Sequence, residues 1–233
     1  MPTPKGGYRL KDGSRVPGTT TVIGRFKESG GLIQWAYKRG KEDGLAGNAR
    51  ARLYDEVGKA ADIGTMAHWL VEKHIDRASF LGKSVGTLRE AFPDMSPDMY
   101  KTAHDAFQAY LDWQDMTHLE IVEQEMELVS EEYKYGGTPD AIGVVNGKLC
   151  LVDWKTSNGV YSDHLVQLAA YRHLWNETHP ERQLTGGSHL CRFAKTHGDF
   201  AHHHYPNLDD GWEQFKLFRR AYEVDKSLKE RTK

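Results

Sequence analysis

Tyr135 to Ser157 reads YGGTPDAIGVVNGKLCLVDWKTS, and this stretch limits the fold of the 233 residues more than any other. Two apolar runs of strand-like composition, Ala141 to Val145 and Lys148 to Trp154, flank Asn146-Gly147. That dipeptide is the strongest short-range signal for a two-residue type I′ hairpin. With Val145 paired to Lys148, counting back along both strands sets Asp140 opposite Asp153. Opposed side chains share a face with Cβ atoms about 4.5–5.5 Å apart. Lys155, two residues beyond Asp153, emerges on that same face.

Two carboxylates facing each other beside an apolar ladder repel, so a cation between them is expected. Oxygen ligands of this kind suit a hard divalent ion such as Mg²⁺ or Mn²⁺. Lys155 stands where it can meet a negatively charged substrate or act on a water. Metal, paired acids and lysine form a set for phosphodiester hydrolysis, in which the metal polarises a phosphoryl oxygen and acidifies a bound water. The plainer alternative is an ordinary hairpin, with Asp140 in the entry turn and Asp153 and Lys155 as a surface pair.

The rest of the chain bounds the setting. At 39% hydrophobic residues it can bury a substantial core, read as one domain over 1–233. Within it a helical N-terminal part covers about 16–116, and the catalytic sheet and its helices about 119–230. No run reaches the roughly eighteen apolar residues of a membrane span, and the first residues lack a secretory core, so a cytoplasmic setting is the expectation. The net charge of −2 is not that of a nucleic-acid coat protein, although a local basic groove is compatible with it. Cys150 and Cys191 read as buried thiols. No Walker-type glycine loop is present, which excludes a nucleotide-driven motor in this chain.

Residues 1–14 are polar and glycine-rich, and an extended segment is expected. Pro17-Gly18-Thr19-Thr20-Thr21 then precedes a short helix with Arg25 and Lys27. A hydroxyl-rich turn of this kind serves equally as a helix cap or as a seat for phosphate. Leu32 to Lys41 suggests a short helix in which Trp35 belongs to the core, and Ala46 to Phe80 a long helical region broken near Gly64. Asp98 to Met116 is amphipathic, and Leu119 to Val129 is strand-like. After the hairpin, Thr156 and Ser157 are candidate phosphate contacts. Ser162 to Asn176 reads as a helix that places Gln167 and Tyr171 on one face. Ser188 to Lys195 and Asp199 to Tyr205 suggest a second hairpin, and Leu208 to about Lys229 a closing helix. His202, His203 and His204 are consecutive on a strand, so their side chains alternate between faces and cannot close one tetrahedral zinc site.

Pro139-Asp140 followed by Asp153-Trp154-Lys155 resembles the signature of the PD-(D/E)XK nucleases, and GKLCLVDWKTS is especially similar to the RecB-like branch that includes the mitochondrial genome maintenance exonuclease and its phage and bacterial relatives. Gly64-Thr65-Met66-Ala67-His68 resembles the element that gives this branch a histidine metal ligand. Gln167-x-x-x-Tyr171 resembles the element that supports its active site. The resemblance implies an α/β restriction-endonuclease-like core, with a mixed, largely antiparallel sheet flanked by helices. It further implies metal ligation by Asp140, Asp153, His68 and the Trp154 carbonyl, with Glu125 at the spacing of a further acid. Thr20, Thr21, Arg25 and Lys27 would line the DNA path. Lys155, with its pKa lowered, would position or deprotonate the attacking water.

The activity implied is that of an Mg²⁺- or Mn²⁺-dependent exonuclease acting on single-stranded DNA from a free end. Repair, recombination or replication proteins would be its partners, in a bacterial or phage-encoded context. Iron–sulfur relatives of the branch use four cysteines, so no such cluster is expected here. Resection of duplex ends in phage recombination, and a catalytically silent DNA-binding module, are the competing readings.

Overall fold

The computed structural model describes residues 4, 6–27, 34, 37, 38, 40, 41, 63–75, 91–194 and 199–232. Trp35 and most of the stretches expected to be helical over 32–41 and 46–80 lie outside these residues. The hairpin forms as the sequence predicts. Strands β6 (Ala141–Val145) and β7 (Lys148–Thr156) pair antiparallel with Val145 opposite Lys148. Asn146 and Gly147 take φ of 49° and 77°, the double left-handed turn that matches the twist of the strands.

Around this hairpin lies a five-stranded sheet in the order β3-β6-β7-β8-β9, where β3 is Glu120–Gln124, β8 Ser188–Phe193 and β9 Phe200–Tyr205. Within that sheet β7 and β8 run parallel, and the other pairs are antiparallel. A parallel neighbour requires a crossover, and helix α4 (Ser162–Thr178) supplies it. Among the described residues further helices include α1 (Thr19–Phe26), α2 (63–75), α3 (Pro97–Thr117) and α5 (Asp209–Glu230), and residues 34, 37, 38, 40, 41 and 91 are also helical. Ser96 caps α3 by accepting from the Met99 N–H, and Pro97 occupies its first turn, where a missing N–H costs nothing. None of the described helices is long and apolar enough to cross a membrane.

Alternation along β7 divides the interior in two. Cys150, Val152 and Trp154 join a core with α2 and α3, built on Met66, Val71, Tyr110 and Trp113. Leu151 faces the other way, with Ile142 and Leu190, into a core closed by α1, α4 and α5 through Val22, Leu168, Trp175 and Phe215. Asp153 and Lys155 have the parity of Leu151, and Asp140 that of Ile142. The two acids therefore share the face covered by α1 and α4.

Two expectations need correction. The polar N-terminal stretch is not simply extended: β1 (Tyr8–Arg9) and β2 (Arg15–Val16) form a small hairpin. It docks on β5 (Tyr135–Gly137) through the Gly136 N–H, which donates to Pro17 O at 3.0 Å. The single strand expected over 119–129 is two strands. The chain turns at Glu125 (φ 52°), and β4 (Leu128–Ser130) leaves the central sheet to pair with β5.

Candidate active site

Three local devices bring the site together. The first is the hairpin register, which runs to Ala141 opposite Val152. Asp140, one residue before β6, accepts a hydrogen bond at Oδ2 from the Trp154 N–H at 2.8 Å. That bond fixes the first acid against the strand carrying the second.

The second device is Gly64. A Cβ at this position would lie 1.7 Å from Thr156 Cγ2, so only glycine lets the start of α2 rest on the end of β7. His68 lies one helical turn later on the same side. Its ring centroid is 6.2 Å from that of Trp154. Gly64 is thus the contact point that brings His68 to the end of β7.

The third device is α4, whose Gln167 Nε2 donates to the Tyr171 hydroxyl at 2.8 Å. Tyr171 packs on Gly137, where a Cβ would approach its Cε1 to 2.6 Å.

Asp140, Lys155, His68, Gln167 and Tyr171 line one cavity of about 220 Å³, together with Trp154, Tyr8, Thr20 and Thr138. Asp153 lies beneath it, fully buried, with Oδ2 2.5 Å from Lys155 Nζ. Its Oδ1 has no hydrogen-bond partner among the described residues, and the same holds for His68 Nε2, which sits 3.6 Å from Glu72 Oε1. An unanswered buried carboxylate oxygen costs on the order of 1–3 kcal/mol or more. Its persistence beside a cavity is the sign of a group that awaits a ligand.

The electrostatics agree with that sign. Burial raises Asp153 to about 6, with Lys155 opposing and Asp140 adding to the rise. Burial lowers His68 to about 4, so its imidazole is neutral near pH 7 and able to offer a lone pair. Burial also works against the Lys155 ammonium, but Asp153 and Asp140 outweigh it and hold its pKa above the ordinary value. The expectation of a lowered lysine pKa is therefore corrected: with two acids beside it, Lys155 keeps its proton. Tyr171 is pushed well up by burial, and its phenol stays neutral.

The donor set fits a divalent cation: a carboxylate with a free oxygen, a second carboxylate, a neutral imidazole with a free nitrogen, and the Trp154 carbonyl. Among the described residues no three His, Cys, Asp or Glu side chains already converge on one point. Asp153 leans on Lys155 and Asp140 on the Trp154 N–H, so these side chains would need to turn to share an ion.

The remaining predicted residues fall elsewhere. Glu125 lies past the end of β3, exposed, rather than on the strand, and its N–H donates to Asp140 O at 3.1 Å. Thr20 reaches the cavity, but Thr21 is not among its lining residues. Arg25 pairs with Asp225 at 2.5 Å and Lys27 with Asp163 at 2.6 Å, so both basic groups are held by acids of α5 and α4. Thr156 packs against Gly64, and the Ser157 hydroxyl donates to Gly159 O at 2.7 Å in the turn after β7. The sequence reading missed Glu72. It sits four residues beyond His68, and its carboxyl is raised to about 7 by burial, Glu125 and Asp140. The His-x-x-x-Glu spacing on one helix was its visible signal.

Comparison with known proteins bears on this geometry. The solved structure of a "Putative exonuclease" from Eubacterium rectale is similar at TM-score 0.44 and 10% identity, over 66% of this chain and 64% of that one. The solved structure of SSO0001 is similar at TM-score 0.32 and 14% identity, over 69% and 84% respectively. This chain thus spans just under two thirds of the length of the first of these proteins. No curated protein matches it at a significant level. A profile of the PD-(D/E)XK nuclease superfamily matches residues 34–230, which takes in the hairpin, His68 and the Gln167–Tyr171 helix. By this match over most of its length, the chain belongs to the PD-(D/E)XK nuclease superfamily.

Proposed function

We propose that the protein is a divalent-metal-dependent exonuclease that hydrolyses phosphodiester bonds of single-stranded DNA from a free end, in repair, recombination or replication. The observation that carries this reading is the buried Asp153, ion-paired to Lys155 and with Oδ1 unanswered, beneath a cavity shared with Asp140 and a neutral His68. The single-strand and free-end preferences rest on the likeness of GKLCLVDWKTS to the RecB-like branch.

Asp140, Asp153, His68 and the Trp154 carbonyl would hold Mg²⁺ or Mn²⁺. Such an ion supplies Lewis-acid polarisation of the phosphoryl oxygen and a more acidic bound water. Lys155 positions the attacking water and offsets charge on the phosphate as its ammonium. Gln167 fixes the Tyr171 hydroxyl, and the pair orients the strand next to the lysine.

The test is a panel of single-stranded and duplex oligonucleotides, each with one end blocked, incubated with Mg²⁺, Mn²⁺ or chelator. Metal-stimulated loss of nucleotides from the open end of the single strand is the expected result. Preferential attack on duplex ends would replace this reading with duplex resection. DNA binding without cleavage under every metal condition would replace it with a silent binding module.

A further inference from the structure

We propose that Tyr8, through its hydroxyl pair with Thr138, is a substrate-positioning residue that grips the phosphate next to the one being cleaved. The proposal rests on the nuclease reading of the same cavity and adds to it a residue from the opposite end of the chain. Tyr8 is buried, with its ring on backbone left bare by glycine. A Cβ at Gly136 would lie 2.2 Å from Tyr8 Cγ, and one at Gly18 would lie 3.0 Å from Tyr8 Cε2. Thr19 Oγ1 donates to Gly136 O at 2.9 Å, and the Gly136 N–H donates to Pro17 O, so the segment leading to Thr20 is fastened to β5 at the glycine that carries the ring.

A phenylalanine would satisfy that packing. The hydroxyl instead lies 2.9 Å from Thr138 Oγ1, and both residues line the cavity that holds Asp140 and Lys155. When two hydroxyls bond to each other, one hydrogen is used between them and the other stays available, along with free lone pairs. The pair therefore offers the cavity one neutral donor. Such a donor suits a non-bridging phosphate oxygen without adding charge beside Lys155. Thr138 precedes Asp140 by two residues, a reach of at most roughly 7 Å. The hydroxyl pair and Asp140 line the same cavity, so a phosphate held by the pair is a close neighbour of one held at the acid.

Tyr8→Phe keeps the ring on Gly136 and removes only the hydroxyl. Single-stranded oligonucleotide binding is measured by anisotropy in chelator and cleavage in Mn²⁺, using substrates in which one phosphate at a time is a neutral methylphosphonate. Tyr8→Phe and Thr138→Val are each expected to weaken Kd and raise KM about 5- to 10-fold, the scale of one lost neutral hydrogen bond, with kcat unchanged and Tm lowered by only about 2–4 °C. Thr138→Ser should restore both constants. In the unaltered protein a methylphosphonate beside the scissile phosphate should cause the same loss, and in Tyr8→Phe it should cause none further.

Unchanged Kd and KM in Tyr8→Phe overturn the proposal. So does a joint fall of Tm and kcat with full methylphosphonate sensitivity retained, since the hydroxyl is then a folding contact. If the unaltered protein binds DNA through Tyr8 but never cleaves it, the nuclease reading fails and takes with it the assignment of Tyr8 to the phosphate beside the cleaved one. If it cleaves and Tyr8→Phe behaves identically, only this one fails. If it neither binds nor cleaves, both fail.

Discussion

Two clusters of ionisable groups sit on the same sheet, and they are built on opposite principles. At the β8–β9 edge, His189 Nδ1 lies 2.8 Å from His202 Nε2, and His204 Nε2 lies 2.8 Å from Gly186 O. His189 stacks on His204 with centroids 4.3 Å apart, and Trp113 covers His202 at 4.7 Å. Burial, followed by the neighbouring imidazoles, lowers His189 to about 3 and His202 to about 4. His189 and His202 are neutral near pH 7, and the named nitrogens have partners. At the end of β7 the pKa values of Asp153 and His68 are also displaced, yet Asp153 Oδ1 and His68 Nε2 stay unanswered beside a cavity. A displaced pKa alone therefore does not mark a functional site. The mark is a buried polar atom whose missing partner has room to arrive.

The sharpest way to break this contrast is to remove the groups at the end of β7. Asp153→Asn and Lys155→Ala should each lower cleavage by about 10²- to 10⁴-fold in a single-turnover assay, with DNA affinity in chelator largely kept. Turnover like that of the unaltered protein in either variant would return the pair to an ordinary structural role. Next in size, His68→Ala should raise the Mn²⁺ concentration for half-maximal cleavage by about 10- to 100-fold, whereas His202→Ala should leave it unmoved. An equal response in the two variants would erase the distinction between the clusters.

Gly64→Ala should cost about 1–3 kcal/mol by denaturant unfolding, because its Cβ would overlap Thr156. Adding Thr156→Ala, which removes Cγ2 and Oγ1 but leaves Cβ at 2.6 Å, should recover part of that loss. A harmless Gly64→Ala would mean that α2 is not seated on β7 as described. The smallest effect concerns acid. Histidines whose folded pKa is depressed contribute stability that is fully present above the unfolded value of about 6.5 and is lost as pH falls toward the folded values. Melting curves between pH 7 and 4 should thus show Tm falling, and the fall should be shallower in His202→Gln. An unchanged slope in that variant would show that the imidazoles are not held neutral at a cost.

The parts legible in the sequence are those fixed by neighbours along the chain. Asn146-Gly147 sets a turn, the turn sets a register, and the register places Asp140, Asp153 and Lys155 on one face without reference to any distant residue. The face shared by Gln167 and Tyr171 follows from helical spacing in the same way. Other features depend on contacts between remote segments and leave little local trace. The β1–β2 hairpin is stable because Tyr8 lies on Gly136, more than a hundred residues away, and nothing in GGYRLKDGSRV announces that partner. Glu125 sits in a left-handed conformation that sequence patterns assign to Gly or Asn, so its break between two strands was hidden. His189 joins His202 and His204 only through the β8–β9 register, which a linear reading of three consecutive histidines does not contain.

Among the described strands of the central sheet, β7 and β8 alone run side by side in the same direction. The chain must therefore leave β7 just past Lys155, travel back over one face as α4, and re-enter at the far end of β8. Gln167 and Tyr171 ride on that return path, so their phase relative to the lysine depends on how many residues lie between. A single residue inserted early in α4 would swing everything after it by about 100° about the helix axis. The length of this return is consequently as much a part of the proposed site as any side chain, and it should tolerate substitution far better than a change in count.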